Sequence, residues 1–266
     1  MFNSVSFLDD YRILSHIFYP RNVIGGESSV GREIVSFWME NGVKIDGIMY
    51  LAGVSAPNIL FFHGNGEIAY DYDDIGPVYN DLGINFLVVD YRGYGTSSGQ
   101  PTYSGMFADA NRIFAGFCSL IKERGMGGNV FVMGRSLGSA PAIELASMYR
   151  DVIAGLIVES GFANTYNLLK RLGVDPLLLD PLKEDLVSNM EKIKKVLVPI
   201  LVIHGELDEI IPLSDGLDLC KGAASKDKNL IVIPRANHNT LFLRGPELYF
   251  RSVANFIRRL SNQDRY

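Results

Sequence analysis

The chain is poor in the features that would tie it to an oxidising compartment, a polyanion or a bilayer. Its 266 residues include only two cysteines, Cys118 and Cys220, far apart and without a CxxC or metal-ligand spacing. They read as two buried thiols, not as a bridge or a metal site, and no cofactor or metal is expected. Basic residues are scattered: 25 Lys and Arg stand against 30 Asp and Glu, a net charge of −5. The one cluster, Lys192, Lys194 and Lys195, reads as a solvated helix face, so nucleic acid is not an expected partner. The opening stretch MFNSVSFLDDYRILSHIFYP has no basic start, and Asp9, Asp10 and Arg12 break its apolar run. No signal or membrane anchor is expected, and the expected location is cytoplasmic. Internal repeats and low-complexity segments are missing as well.

What remains is an ordinary globular composition, 47% hydrophobic and 21% charged, compatible with a single domain over residues 1–266. Two β-rich runs, 33–40 and 43–50, flank Asn41-Gly42 and predict an antiparallel hairpin. Six further apolar runs follow, NILFFH (58–63), NFLVVD (85–90), NVFVMG (129–134), AGLIVE (154–159), PILVIH (199–204) and NLIVIP (229–234). Between or after them, 105–124, 137–149, 213–221 and 246–260 are long enough for helices. Continuous apolar strands alternating with helices predict an α/β fold, a mostly parallel eight-stranded sheet with helices on both faces. The interval 160–198 is too long for a simple crossover. Its leucines and its Asp175-Pro176 and Asp180-Pro181 breaks predict two short helices forming a cap.

In such a sheet, ligands bind beyond the carboxyl ends of the strands. The residues there are His63-Gly64-Asn65-Gly66, Asp90-Tyr91-Arg92-Gly93, Gly134-Arg135-Ser136, Glu159-Ser160-Gly161, His204 to Asp208, and Arg235 to His238. Two glycines bracket Ser136, as a tight strand-to-helix turn that exposes a hydroxyl would require. A serine hydroxyl attacks only when a base takes its proton, and imidazole suits that role. Of the four histidines, His16 precedes the sheet, and His63 and His204 sit at strand ends where backbone groups hold a ring. His238, in a polar loop after the last strand, is the favoured base. Asp208 is the favoured partner for its ring, with Glu159 as the rival and Glu209 as an exposed bystander. The oxyanion would be held by the backbone N–H groups of Leu137 and of Asn65, with Gly66 as the alternative to Asn65.

With these segments in view, the chain resembles an α/β-hydrolase. The resemblance rests on Gly134-Arg135-Ser136-Leu137-Gly138, His63-Gly64-Asn65-Gly66, the run DYRGYGTSSG from Asp90 to Gly99, HGELDEIIP and the His238 loop. It covers nearly the whole chain from about residue 33, in the family's order of serine, acid, histidine. Within the family the chain is similar to the small, short-capped alpha/beta hydrolase domain-containing and serine-aminopeptidase-like branches. These include carboxylesterases, acyl thioesterases, lipases and peptidases. The resemblance implies that Asp90 and Arg92 brace a loop and do not touch substrate.

The expected activity is hydrolysis of carboxylic esters of small or medium acyl chains, with a small-molecule acyl substrate and water as partners. A thioesterase or a peptidase would use the same residues. A non-catalytic binding protein on the same fold is the third possibility. Leu168, Leu169, Leu172, Leu177, Leu178 and Leu179 either line an apolar acyl site or build the core of the cap.

Overall fold

The computed structural model describes residues 6–23, 31–182 and 188–262. The chain opens with a short helix, α1 (Tyr11–Ile17), capped by the Asp10 side chain. Strands β1 (Arg32–Trp38) and β2 (Lys44–Tyr50) then form the antiparallel hairpin, joined through a short 3-10 turn in which Asn41 and Gly42 both have positive φ. The remaining strands are β3 (Asn58–Phe62), β4 (Asn85–Val89), β5 (Val130–Arg135), β6 (Ile153–Glu159), β7 (Ile200–Gly205) and β8 (Lys228–Ile233).

They build one eight-stranded sheet in the order β1-β2-β4-β3-β5-β6-β7-β8. From β4 to β8 along this order every pairing is parallel, while β1–β2 and β2–β4 are antiparallel, so β2 alone runs against the rest. The crossover helices are α2 (Gly76–Asp81), α3 (Tyr103–Glu123), α4 (Ser139–Met148) and α7 (Leu213–Gly222). Between β6 and β7 lie α5 (Thr165–Arg171), a 3-10 segment (Pro176–Leu182) and α6 (Asn189–Ile193). Residues 183–187 of the interval expected to form a cap lie outside the described residues. The chain closes with α8 (Leu241–Arg244) and α9 (Pro246–Ser261).

Side chains alternate along a strand, so a sheet buried on both faces needs apolar residues at every position. Leu60, Val132 and Val202 join one core with Phe117 of α3, Ile143 of α4 and Leu219 of α7. Their neighbours Phe61, Met133 and Ile203 face the other core with Tyr79 of α2 and Val253 and Ile257 of α9. This explains why the strands read as unbroken apolar runs. It also leaves only the strand ends free to carry polar chemistry.

Two expectations need qualification. Lys194 and Lys195 are exposed, but Lys192 is not part of a solvated face: it pairs with Glu144 on α4 at 3.0 Å and lies 3.6 Å above the ring of Phe107. Its long apolar stem crosses the seam between α3 and α4, which composition alone does not reveal. Cys118 and Cys220 are unpaired and half-buried, and burial raises the pKa of both thiols.

Candidate active site

The two glycines around Ser136 are dictated by backbone contact. A Cβ at Gly134 would sit 2.0 Å from the Gly138 carbonyl oxygen, and one at Gly138 would sit 2.0 Å from the Phe62 carbonyl oxygen. The turn into α4 is therefore pressed onto β5 and β3 too closely for any side chain. Ser136 at its apex has φ 51°, the left-handed region that costs an L-residue roughly 1–2 kcal/mol. Strain of this kind holds the hydroxyl outward, at the end of the sheet.

There it meets the two other residues expected beside it. Ser136 Oγ lies 2.9 Å from His238 Nε2, and His238 Nδ1 lies 2.8 Å from Asp208 Oδ2. An ionised carboxylate only accepts, so Nδ1 carries the proton and Nε2 is left to accept from the serine hydroxyl. Burial by itself would raise the Asp208 pKa. The bond from His238 and the Ile211 N–H outweigh it and hold this carboxyl below its ordinary value. Asp208 Oδ1 accepts from the N–H groups of Ile210 and Ile211 at 3.1 and 2.8 Å, which holds the carboxylate through the oxygen that His238 does not use. The buried Ile211 ties this turn to the core.

The competing residues are occupied elsewhere. Glu159 is fully buried, with one oxygen on Arg135 and the other on the Tyr249 hydroxyl. His63 Nδ1 donates to the Gly64 carbonyl at 2.7 Å, and its Nε2 is 3.3 Å from Asp90. His204 Nε2 donates to the Ile211 carbonyl at 2.8 Å, behind Asp208, and burial lowers its pKa. His16 bonds within α1, and Glu209 is exposed. Asp90 accepts from the Ala69 N–H, while Arg92 pairs with Asp109 of α3 at 2.6 Å. Arg92 thus ties the loop after β4 to α3, while Asp90 ties the end of β4 to the connection after β3.

Ser136, Leu137, His238 and Asn65 open onto one cavity of about 280 Å³. Leu137 stands in the first turn after the serine, where backbone N–H groups have no intrahelical acceptor. Asn65 faces it from the loop after β3. Its Oδ1 accepts from the Tyr19 N–H and the Tyr94 hydroxyl, both at 2.9 Å. Gly66, the alternative, is not among the described lining residues, and its carbonyl accepts from Arg21.

The far wall is apolar: Phe162, Leu168, Leu169 and Leu172 come from the β6–β7 interval and Ile17 from α1. Among the six leucines left open by the sequence, the first three thus line the cavity. Leu179 is buried in the core and Leu177 is 78% exposed.

Sequence reasoning missed the N-terminal contribution. Ile17 and Tyr19 line the cavity, and the strap behind them is clipped to the loop after β4 by Val23 N–H to Gly95 O and Gly95 N–H to Arg21 O. No local pattern pairs residues so far apart. Among the described residues, no group of three or more His, Cys, Asp or Glu is placed to hold a metal ion. No helix among them is long and apolar enough to cross a membrane.

Comparison with known proteins agrees with this architecture. The family described as serine aminopeptidase, S33, matches residues 55–174 and 181–243, more than half of the chain. Protein bem46 of Schizosaccharomyces pombe is 28% identical over 242 residues, covering 87% of this chain and 78% of the relative. Alpha/beta hydrolase domain-containing protein 17B of Homo sapiens is 31% identical over 242 residues, covering 86% of this chain and 77% of the relative. Among solved structures, the Pyrococcus furiosus esterase Pf2001 superposes with a TM-score of 0.73 at 20% identity, over 90% of this chain and 98% of the other. Est1E from Butyrivibrio proteoclasticus gives 0.68 at 19% identity, over 85% and 98%. At such identities the two esterases speak for the fold, which is that of the α/β-hydrolases.

Proposed function

The chain belongs to the serine aminopeptidase S33 family within the α/β-hydrolases, and on that premise we propose that it cleaves carboxylic esters of small or medium acyl chains through an acyl-enzyme. The observation that carries this reading is the relay of 2.9 and 2.8 Å from Ser136 through His238 to Asp208, opening directly onto an apolar-walled cavity.

Each group then has a defined task. Ser136 Oγ bonds to the carbonyl carbon of the ester while its proton passes to His238 Nε2. Asp208 holds the ring in the required tautomer and stabilises the imidazolium. The oxyanion is received by the N–H groups of Leu137 and Asn65. Collapse breaks the bond to the leaving alcohol, which takes the proton from Nε2. Water then repeats the sequence at the acyl-enzyme, with His238 again as base, and Ser136 is released with the carboxylic acid.

The interval 160–198 is read as the cap that selects the acyl group, since α5 supplies Leu168 and Leu169 to the cavity wall. A cavity of about 280 Å³ stands at the low end of small-molecule sites, which suits a short or medium chain. The described lining carries no Asp or Glu to receive an α-ammonium group, which favours an acyl ester over an aminopeptidase substrate.

The test is covalent labelling with a fluorophosphonate followed by peptide mass spectrometry. A phosphonyl adduct on the peptide holding Ser136, lost in Ser136→Ala, is expected. A folded protein that takes up no label would overturn the reading.

A further inference from the structure

Between the two glycines, beside Ser136, stands Arg135, the last residue of β5, with only 6% of its surface exposed. Removing a guanidinium from water is costly, and only well-placed acceptors offset that cost. Here the partners come from the loop after β3, the end of β6 and the loop after β8. Arg135 Nε donates to Glu67 Oε1 at 2.7 Å, Nη1 to Glu159 Oε1 at 2.9 Å and Nη2 to Asn239 Oδ1 at 3.0 Å.

What lies beyond each partner gives the arrangement its meaning. Glu67 Oε2 accepts the Gly64 N–H at 2.7 Å, so this carboxylate fixes the His63–Gly64 peptide, next to the peptide whose Asn65 N–H is read as one of the two oxyanion donors. Asn239 follows His238 in the chain, so the bond to Nη2 pins the loop that carries the base. Glu159 is anchored by the Tyr249 hydroxyl at 2.6 Å, which ties the whole plane to α9. A guanidinium offers rigid, coplanar donors, whereas an ammonium is a single point that cannot span three acceptors.

We infer that Arg135 is the positioning residue of this site, locking the oxyanion loop and the histidine loop at fixed distances from Ser136. The inference rests on the hydrolase reading above and adds to it a residue that touches no substrate atom. Misplacing catalytic groups by about 1 Å costs on the order of 100-fold in rate, so the effect is large enough to measure.

The experiment follows the second-order rate of fluorophosphonate labelling, which needs no knowledge of the acyl substrate, in wild type, Ser136→Ala, Arg135→Lys and Asn239→Ala. Melting temperatures are measured alongside. Labelling in Arg135→Lys is expected to slow by on the order of 100-fold while the folded fraction, read by circular dichroism, still reaches complete labelling. Asn239 is exposed, so Asn239→Ala should melt with wild type and label several-fold more slowly. A merely structural Arg135 would lower the melting temperature and leave the labelling rate of folded protein unchanged.

Labelling within twofold of wild type in Asn239→Ala, and within threefold in any Arg135→Lys that folds, would overturn the inference alone. If Arg135→Lys does not fold, Asn239→Ala decides the matter. Wild type that takes up no more label than Ser136→Ala would overturn the hydrolase reading, and the inference with it.

Discussion

Replacing Ser136 by glycine should stabilise the protein relative to replacing it by alanine, although both changes remove the same hydroxyl. The serine is held at φ 51°, where a Cβ costs roughly 1–2 kcal/mol. Glycine avoids that cost but gains about 0.4–1 kcal/mol of unfolded-chain freedom. The difference leaves Ser136→Gly more stable than Ser136→Ala by about 0.5–1 kcal/mol. For a chain of 266 residues, an unfolding entropy of about 2.1 cal/mol/K per residue converts 1 kcal/mol into a melting shift of about 2 °C. Differential scanning calorimetry of the two variants reads that difference directly. If Ser136→Gly melts at or below Ser136→Ala, the turn stores no strain and the explanation of its geometry fails.

Three other outcomes follow from the same structure. Asp208→Asn should keep the fold but lower kcat by about 10⁴-fold, because the amide favours the wrong tautomer of His238; a loss under tenfold in a steady-state assay would remove Asp208 from its role. Leu168→Trp should shift the preferred ester to shorter chains. With about 0.8 kcal/mol for each methylene excluded, losing room for two carbons lowers kcat/KM for the longer ester by on the order of tenfold, and an unchanged chain-length profile would count against the cavity as the acyl site. Burial would raise the Glu67 pKa, but Arg135 and the Tyr72 hydroxyl pull it from 4.5 down to about 2. Its folded value lies below its unfolded one, so it contributes stability above pH 4.5 that is lost as pH falls toward 2, about 3 kcal/mol at most. Urea unfolding at stepwise pH should show a shallower acid limb in Glu67→Gln than in wild type, and parallel limbs would contradict this assignment.

Features set by local pattern were legible in the sequence, and features set by distant convergence were not. Strands such as Phe86 to Val89 and Leu201 to Ile203 declare themselves because both faces of the sheet are buried, which leaves no polar position along them. Ser136, Asp208 and His238 could be singled out because each follows a strand. The helix α1 could not be foreseen: it is only seven residues long, with Tyr11 78% exposed, and it owes its place to Ile13 and Ile17 packing into the core and not to its own periodicity. Arg135 and Glu67 carry no signal of their own in the sequence, one lying inside a serine turn and the other just after a glycine loop. Their meaning arises only when residues 67, 159 and 239 are folded onto one guanidinium. The leucines of 168–179 were ambiguous for a related reason. A helix pattern tells that a face is covered, but not whether a neighbour or a substrate covers it.

The most direct measurement is hydrolysis of p-nitrophenyl esters from acetate to decanoate by wild type and Ser136→Ala, purified in parallel and matched for folding. Wild type is expected to turn over short or medium chains, with a fall-off at the longer end set by the cavity. Ser136→Ala is expected to lose about three or more orders of magnitude in rate. Turnover by Ser136→Ala within tenfold of wild type would place the nucleophile elsewhere and contradict the relay from Ser136 through His238 to Asp208.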